Sequence, residues 1–310
     1  MPFHLTNWIL LLCLVFLWGT SFVVTAISVE SITPIGIVAL RVLLGALVLV
    51  AALRLKRLTL PRERIAWGVF LLMGMVGNLL PFFLIAWGQQ SITSGMAGVI
   101  MAIMPLATMI LAHYFVAGEN LNRFKLLGFG VGIGGIILLL GPVFGGERHE
   151  VLGAIAVLVA ACSYALNTVL AHQLPSYSPL MTGAGVLIAS SLVAVPIWLY
   201  QSGAVALLLR APGDVFSLLD GVRVDSLVAL IWLGIGPTGI ATLIYFNVIQ
   251  RAGPSFLSTI NYLIPAVAFF TGALVLNEPV TVQNLLALGL VLLGIALTRY
   301  RTASAATAAN

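Results

Sequence analysis

The sequence predicts an all-α integral membrane protein with ten transmembrane helices, arranged as two inverted five-helix repeats. Three observations predict this fold class. The 310 residues are 61% hydrophobic and only 7% charged, which exceeds the apolar share of a soluble domain and falls far below its charged share. Ten stretches are long and apolar enough to cross a bilayer. A pattern of polar residues, prolines and glycines occurs twice along the chain.

The ten predicted spans are stretches of about 20 predominantly apolar residues. The first one lacks a preceding Lys or Arg, and its apolar run from Trp8 to Ile27 is longer than the core of a signal peptide, so we expect it to be retained. Cys13 and Cys162 both lie within predicted spans, so a disulfide framework is not expected. The spans are 7–28, 33–54, 66–88, 92–117, 124–142, 151–172, 180–200, 226–249, 255–276 and 282–299.

The duplication is visible in residues that recur at a nearly constant offset. The offset is 145–146 residues near the start, where Trp18 matches Tyr164 and Thr33-Pro34 matches Ser178-Pro179. It is 160 from Gly74 up to the paired prolines and 159 after them, because the second copy carries about 15 extra residues around 204–225. Each copy holds an odd number of spans, so the copies must lie upside down relative to one another. We predict a first repeat over 1–146, a second over 147–300 and a short cytoplasmic tail over 301–310. Gln90, Pro105, Glu119, Gly130 and Gly135 recur as Gln250, Pro265, Glu278, Gly289 and Gly294.

The positive charges predict the orientation. With the N-terminus inside, ten Lys and Arg residues fall in cytoplasmic loops, whereas Arg148, Arg210 and Arg223 alone fall outside. This bias places both termini in the cytoplasm and Glu119 and Glu278 on opposite sides of the membrane. The basic pI of 9.6 thus reflects topology, and no nucleic-acid partner is expected, since the charges form no connected basic face.

An enzyme is not expected, because no set of residues with catalytic spacing is present. The four histidines are scattered without metal-ligand spacing, neither cysteine belongs to a CxxC pair, and the chain has no P-loop or G-x-S-x-G motif. We therefore expect no metal, no cofactor and no ATP-binding partner.

Charged groups inside the spans constrain the substrate and the driving force. Every Asp and Glu lies in a predicted loop or at a span end, which disfavours coupling to protons or sodium through a membrane carboxylate. Arg41 is the one ionisable side chain well inside a span, about 12 Å from its external end. It either meets a substrate carboxylate, or it bonds to carbonyls of a neighbouring helix or reaches back to the interface.

Amides and aromatic rings are the other polar groups within the spans. Together with Met and aliphatic side chains they would suit a neutral or zwitterionic amphipathic solute. The alternative is that several of the amides only bridge helices. The candidates for a substrate site are Trp18, Asn78, Gln89, Met101, Tyr164, Asn167, Tyr245, Asn261 and Tyr262.

Four residues are candidate hinges. Pro105 and Pro265 occupy equivalent positions in spans four and nine, where each removes a backbone hydrogen bond. Gly77 and Pro237 belong to glycine-rich segments at equivalent positions of spans three and eight. These residues either allow the helices to move or impose static kinks. The glycines from Gly128 to Gly135 predict a close-packing face in span five.

Several segments together resemble the EamA-type branch of the drug/metabolite transporter superfamily. They are the run Phe16 to Phe22, the segment Pro34 to Arg41, the two span prolines with their preceding residues, and Glu119 and Glu278 at the span exits. Within that branch the chain is most similar to YddG-type exporters of aromatic and other amino acids. The resemblance covers nearly the whole chain.

The resemblance implies the helices enclose a central cavity and that the protein exports amino acids, aromatic and other neutral ones, or related metabolites. The expected mechanism is alternating access in the inner membrane, with the lipid bilayer and an amino acid-like molecule as the partners. The alternatives are a multidrug or other metabolite exporter or facilitator of the same fold, a channel, and a membrane protein that transports nothing.

Overall fold

The computed structural model describes residues 2–174, 177–204 and 220–307. Ten helical segments cross the molecule, and we number them α1 to α10. Eight are individually long and apolar enough to span a membrane, and α9 and the apolar part of α10 are shorter. The segments are α1 Pro2–Val29, α2 Pro34–Leu55, α3 Arg64–Gly88, α4 Ser94–Phe115, α5 Arg123–Phe144, α6 Arg148–Gln173, α7 Pro179–Gln201, α8 Val224–Gly253, α9 Ile260–Leu276 and α10 Val282–Thr307.

The helix starts follow local sequence signals. The Thr33 hydroxyl accepts a hydrogen bond from the Gly36 amide, and Pro34 follows as the first helical residue of α2. The Thr93 hydroxyl caps α4 in the same way, and the Asn122 carboxamide accepts from two amides at the start of α5. These side chains satisfy amides that have no partner within their own helix.

The observed helices agree with the predicted spans to within a few residues at most ends. At the C-terminus, α10 continues to Thr307, into the segment predicted as a tail. The insertion predicted around 204–225 falls mostly on residues 205–219, which lie outside the described part of the chain, as do Arg210 and Asp214.

Contacts between helices follow the same pattern in both halves. Helix α1 packs on α8 and α9, and its counterpart α6 packs on α3 and α4, while α2 pairs with α7 and α5 with α10. Such reciprocal pairing is what a two-fold relation between the halves produces. Together with the lipid-facing exterior of large apolar side chains, it confirms the predicted fold class of ten helices in two inverted repeats.

A widened helical turn occurs at equivalent places in the two halves. Residues Met75–Leu79 of α3 and Gly234–Ile240 of α8 form π-helix, and the two segments correspond at the offset of 160 residues. A π-helical turn shifts the backbone hydrogen bonds and is frequent at functional sites. Gly77 and Pro237 lie in these two segments.

Helices α5 and α10 approach closely through glycine. A Cβ at Gly128 would lie 2.5 Å from the carbonyl oxygen of Gly294, and a Cβ at Gly135 would lie 2.8 Å from the carbonyl oxygen of Ala287. Gly130 and Gly134 have nothing within 4 Å of such a Cβ. The glycine run is therefore a packing surface on one face of α5, at Gly128, Gly132 and Gly135.

The face at which α1 begins is called the N face below, and the opposite one the far face. Glu119 follows the end of α4 and lies at the N face, whereas Glu278 lies beside the start of α4 at the far face. The two glutamates are thus separated by the length of a span, about 33 Å for 22 residues.

Candidate functional site

Arg41 is buried between the two halves of the molecule. Only 7% of the residue is exposed, and its Nε donates a 2.8 Å hydrogen bond to Thr238 Oγ1 in the π-helix of α8. The Thr238 hydroxyl in turn donates to the carbonyl oxygen of Leu233 at 2.9 Å. The guanidinium carbon lies 3.7 Å from the centre of the Phe82 ring. Arg41 is thus held by a hydroxyl and a ring and does not reach back to the interface.

The Arg41 guanidinium retains most of its hydrogen-bonding capacity. It has five N–H donors, and among the residues that the structure describes, Thr238 is its one hydrogen-bond partner and no carboxylate forms an ion pair with it. The two Nη groups form the fork that matches a carboxylate. A cation with so few partners inside a membrane protein is a candidate functional group.

Two aromatic pairs are linked to the contacts of Arg41, one through Phe82 beneath its guanidinium and one through Trp18, which binds the residue before Thr238. The Trp18 ring lies 5.6 Å from the Tyr245 ring, and the Phe82 ring lies 6.4 Å from the Tyr164 ring. Trp18 and Tyr164 are equivalent in the two repeats. Each pair has apolar ring faces and polar edges, the kind of surface to which an amphipathic solute binds.

Asn167 provides a further polar group close to these rings, three residues after Tyr164 on α6. It packs directly on the π-helix of α3, where a Cβ at Gly77 would lie 2.5 Å from Asn167 Nδ2. Its Oδ1 is buried and makes no hydrogen bond within the described part of the chain. An unsatisfied buried acceptor costs about 1–3 kcal/mol, so a bound group that donates a hydrogen bond here would be stabilising.

Side chains from α1 and α6 bind the carbonyl groups of the two π-helices. The Trp18 indole donates to the Pro237 carbonyl oxygen at 3.0 Å, and the Ser163 hydroxyl donates to the Val76 carbonyl oxygen at 2.6 Å. The site is therefore built where α1 and α6 meet the π-helices of α8 and α3. This is the contact between the repeats at which inverted-repeat proteins bind their substrates.

The structure thus brings together five predicted residues at one place, and it separates others from them. Gln89 caps the end of α3, and its Nε2 donates to the Phe22 carbonyl oxygen at 2.9 Å, so it bridges two helices. The Tyr262 hydroxyl donates to the Ile295 carbonyl oxygen of α10. The residues linked by these contacts are Trp18, Arg41, Tyr164 and Tyr245, with Asn167 beside them on α6 and against Gly77.

The other candidates lie at helix irregularities. Asn78 is half-buried in the π-helix of α3. Met101 is the residue before a break in α4, and Asn261 is the second residue of α9. Both are half-buried, and their positions are equivalent in the two repeats.

The two prolines differ in their surroundings. In α4 the helix breaks at Ala102 and Ile103, and Pro105 is the second residue of the helical segment after this break. In the second repeat the break falls at Ser258 and Thr259, and Pro265 lies inside α9 beyond it. The interruption is therefore one turn further from the proline in the second repeat. Whether these breaks are hinges is still a prediction.

Sequence reasoning missed three residues of the site: Phe82, Ser163 and Thr238. Thr238 could have been found, because it lies 160 residues after Asn78 in the glycine-rich segment of the second repeat. Phe82 and Ser163 carry no such signal, since their roles depend on which helix packs against them.

Comparison with known proteins shows the family. The sequence profile of the EamA-like transporter family matches residues 6–141 and 151–300. The chain belongs to the EamA-like transporter family. Like other EamA proteins it is a multi-pass membrane transporter and not an enzyme.

The relatives of this EamA protein include several transporters, most of them uncharacterised. It is 26% identical over 294 residues to an uncharacterised transporter of Archaeoglobus fulgidus, covering 93% of this chain and 97% of that one. It is 26% identical over 296 residues to the uncharacterised inner membrane transporter YedA of Escherichia coli K12, covering 93% and 88%. It is 24% identical over 286 residues to a probable amino-acid metabolite efflux pump of Salmonella typhimurium, covering 92% of each chain.

A solved crystal structure shares the fold of this EamA chain. The TM-score is 0.62 at 20% sequence identity, and the match covers 94% of this chain and 96% of that one.

Proposed function

We propose that this protein is a secondary transporter of the inner membrane that exports aromatic and other neutral amino acids, or related small metabolites, by alternating access. The observation that carries the proposal is the Arg41 guanidinium, buried between the repeats with both Nη groups available and the Phe82 ring, which pairs with Tyr164, against it. An amino acid has a carboxylate for the guanidinium and a side chain for the rings.

The donors and acceptors of the site fit a zwitterion. The Nη groups of Arg41 can hold both carboxylate oxygens, and Asn167 Oδ1, which lacks a partner among the described residues, can accept a hydrogen bond from the α-ammonium group. The rings of Trp18 and Tyr245 offer the stacking surface that an aromatic side chain prefers. A cationic drug would lack the carboxylate and would meet the positive charge of Arg41.

The orientation and direction of transport belong to this proposal. The N face has the larger share of Lys and Arg residues, so we assign it to the cytoplasm together with both termini. Export agrees with the name of the Salmonella relative, a probable amino-acid metabolite efflux pump. We further propose that the repeats divide at residue 146, with the first over 1–146 and the second over 147–300.

Counterflow in liposomes tests the function. Purified protein would be reconstituted with unlabelled amino acids inside, and uptake of labelled phenylalanine, leucine and lysine would be measured with and without a proton gradient. We expect uptake of the neutral amino acids, and exchange that persists after a proton ionophore is added. If no amino acid were taken up but cationic dyes were, the multidrug alternative would be favoured.

Competition and substitution at Arg41 test the carboxylate contact. Phenylalanine amide, which keeps the ring and the amine but has no carboxylate, should not compete with labelled phenylalanine. Arg41→Lys keeps the charge but loses the bidentate geometry, so transport should fall at least about tenfold, which 1.4 kcal/mol produces. Arg123→Lys is the matched control, since Arg123 also lies over a phenyl ring, that of Phe124, but at the protein surface.

A further inference from the structure

Glu278 binds the start of a helix from the other repeat. Its Oε1 accepts a 2.6 Å hydrogen bond from the amide of Ser94, and its Oε2 accepts a 2.8 Å hydrogen bond from the amide of Gly95. These are the first two residues of α4. A carboxylate at this position satisfies two unpaired amides and interacts favourably with the helix dipole. Such charge-assisted hydrogen bonds are among the stronger ones in proteins.

This contact lies over a tight seam between α4 and α9. A Cβ at Gly98 would collide with the side chain of Ala268, and one at Gly272 would collide with the Glu278 carboxylate and come within 2.7 Å of Ser94 Oγ. The helices approach this closely only because glycine occupies both positions. The far-face halves of α4 and α9 are thus closed against each other, with Glu278 at the outer end of the seam.

Glu119 occupies the equivalent position of the first repeat but has a different partner. Its carboxylate accepts a 3.2 Å hydrogen bond from Lys125 Nζ, and 54% of its side chain is exposed. Repeat symmetry relates Ser94 and Gly95 to Pro254 and Ser255, which begin the helical turn before α9. Of these two, Ser255 has the amide that Glu119 would bind if the first repeat adopted the arrangement seen in the second.

We propose that Glu278 and Glu119 are a matched pair of gating residues, which close one face each by binding the start of α4 and the helical turn before α9 respectively. This gating proposal rests on the alternating access proposed above. In the structure Glu278 is engaged and Glu119 is not, so the far face is closed. Opening the far face releases Glu278 from α4, and closing the N face moves Glu119 from Lys125 to the helical turn before α9.

The two contacts are unequal because proline has no amide N–H. Ser94 donates to Glu278, but its counterpart Pro254 has no amide hydrogen to donate to Glu119. The N-face contact therefore lacks one of the two hydrogen bonds found at the far face. This difference favours the state with the far face closed as the resting state.

The accessibility of one introduced cysteine measures the equilibrium between the states with the far face closed and open, and it requires no substrate. The probe is Ser21→Cys, placed with both native cysteines replaced by serine. Ser21 is half-buried and lies one turn beyond Trp18 towards the far face. A membrane-impermeant maleimide added at the far face should label it slowly in the parent. Glu278→Ala and Glu278→Gln should speed labelling, the former about tenfold, whereas Glu147→Gln, at an exposed loop glutamate of the same face, should not.

A double-mutant cycle tests the N-face half of the proposal. Pro254→Ala adds an amide donor for Glu119, so it should favour the far-face-open state and raise labelling of the probe several-fold. The rise should disappear when Glu119→Ala is also present. Labelling unchanged by Glu278→Ala in a protein with normal thermal stability, or a rise with Pro254→Ala that does not need Glu119, would overturn the proposal. Because no substrate is used, a wrong assignment of the amino acid substrates would leave these results unaffected.

Discussion

Arg41 of the first repeat and Thr238 of the second are joined by a 2.8 Å hydrogen bond from Nε to Oγ1, in a region where both residues are buried. The bond fixes one edge of the guanidinium and leaves the Nη edge directed elsewhere. The position of the proposed carboxylate contact therefore depends on a hydroxyl group in the π-helix of the other repeat.

Thr238→Val should impair substrate recognition because it removes this hydroxyl and keeps the side-chain shape. Hydrogen bonds to charged groups contribute about 1.5–3 kcal/mol, so we expect KM for the amino acid to rise about tenfold. Thr238→Ser keeps the hydroxyl and should transport at nearly the parental rate. Equal KM values for the two variants would show that the hydroxyl does not position Arg41.

Trp18→Phe should destabilise the contact between α1 and α8. The change keeps an aromatic ring but removes the indole N–H that binds the Pro237 carbonyl oxygen. We expect a loss of about 1–2 kcal/mol, measured as a lower unfolding midpoint in detergent. Trp87→Phe, at an exposed tryptophan of α3, is the control and should leave the midpoint unchanged.

Gly77→Ala should displace Asn167 from the π-helix of α3. The added methyl group would lie 2.5 Å from Asn167 Nδ2, so the amide must move, and we expect the transport rate to fall severalfold. Gly68→Ala on the same helix meets nothing within 4 Å and should be neutral. The fall should be smaller when Asn167→Ala is already present. A fall of the same size would show that the methyl group does not act by displacing Asn167.

Gly294→Ala should weaken the packing of α5 on α10. A Cβ at this position would lie 2.6 Å from the Gly128 carbonyl oxygen and 2.6 Å from the Gly132 amide nitrogen, and backbone atoms cannot turn aside. Overpacking of this kind costs about 1–3 kcal/mol of stability. Gly289→Ala, on the same helix with nothing within 4 Å, should leave the thermal midpoint unchanged.

The sequence contained most of the information about the fold. Long apolar stretches must become helices in a membrane, since every backbone amide needs an internal partner, and the recurrence of Pro105 as Pro265 shows the duplication. The sequence did not predict that the helix of the second repeat breaks at Ser258, because the position of a proline does not determine where a helix is interrupted. The π-helices were not predicted from the sequence either, although Gly77 and Pro237, which lie in them, are candidate hinges.

The site was predictable to the extent that its residues are unusual for a membrane span. Arg41 and Asn167 are polar, and Trp18 and Tyr164 are equivalent in the two repeats, so composition and symmetry identify them. Tyr262 and Gln89 are just as polar, but they bridge helices, and the direction of a side chain around a helix cannot be read to the required accuracy. Phe82 was missed because a phenylalanine in a span is ordinary until a cation lies over its ring.

The central claim is that one site between the repeats is reached from each face in turn. Asn78→Cys, placed next to Gly77 at this site, tests it when labelling is followed from each face of oriented vesicles. Met96 and Ala273, which line a small pocket beside Glu278, would also be replaced by cysteines. A short crosslinking reagent would join these two cysteines without reacting with the one at position 78.

Before crosslinking, we predict that Asn78→Cys reacts from both faces and that phenylalanine slows both reactions. After crosslinking, labelling from the far face should stop while labelling from the N face continues. Labelling that continues from both faces after crosslinking, or that phenylalanine never slows, would contradict the account.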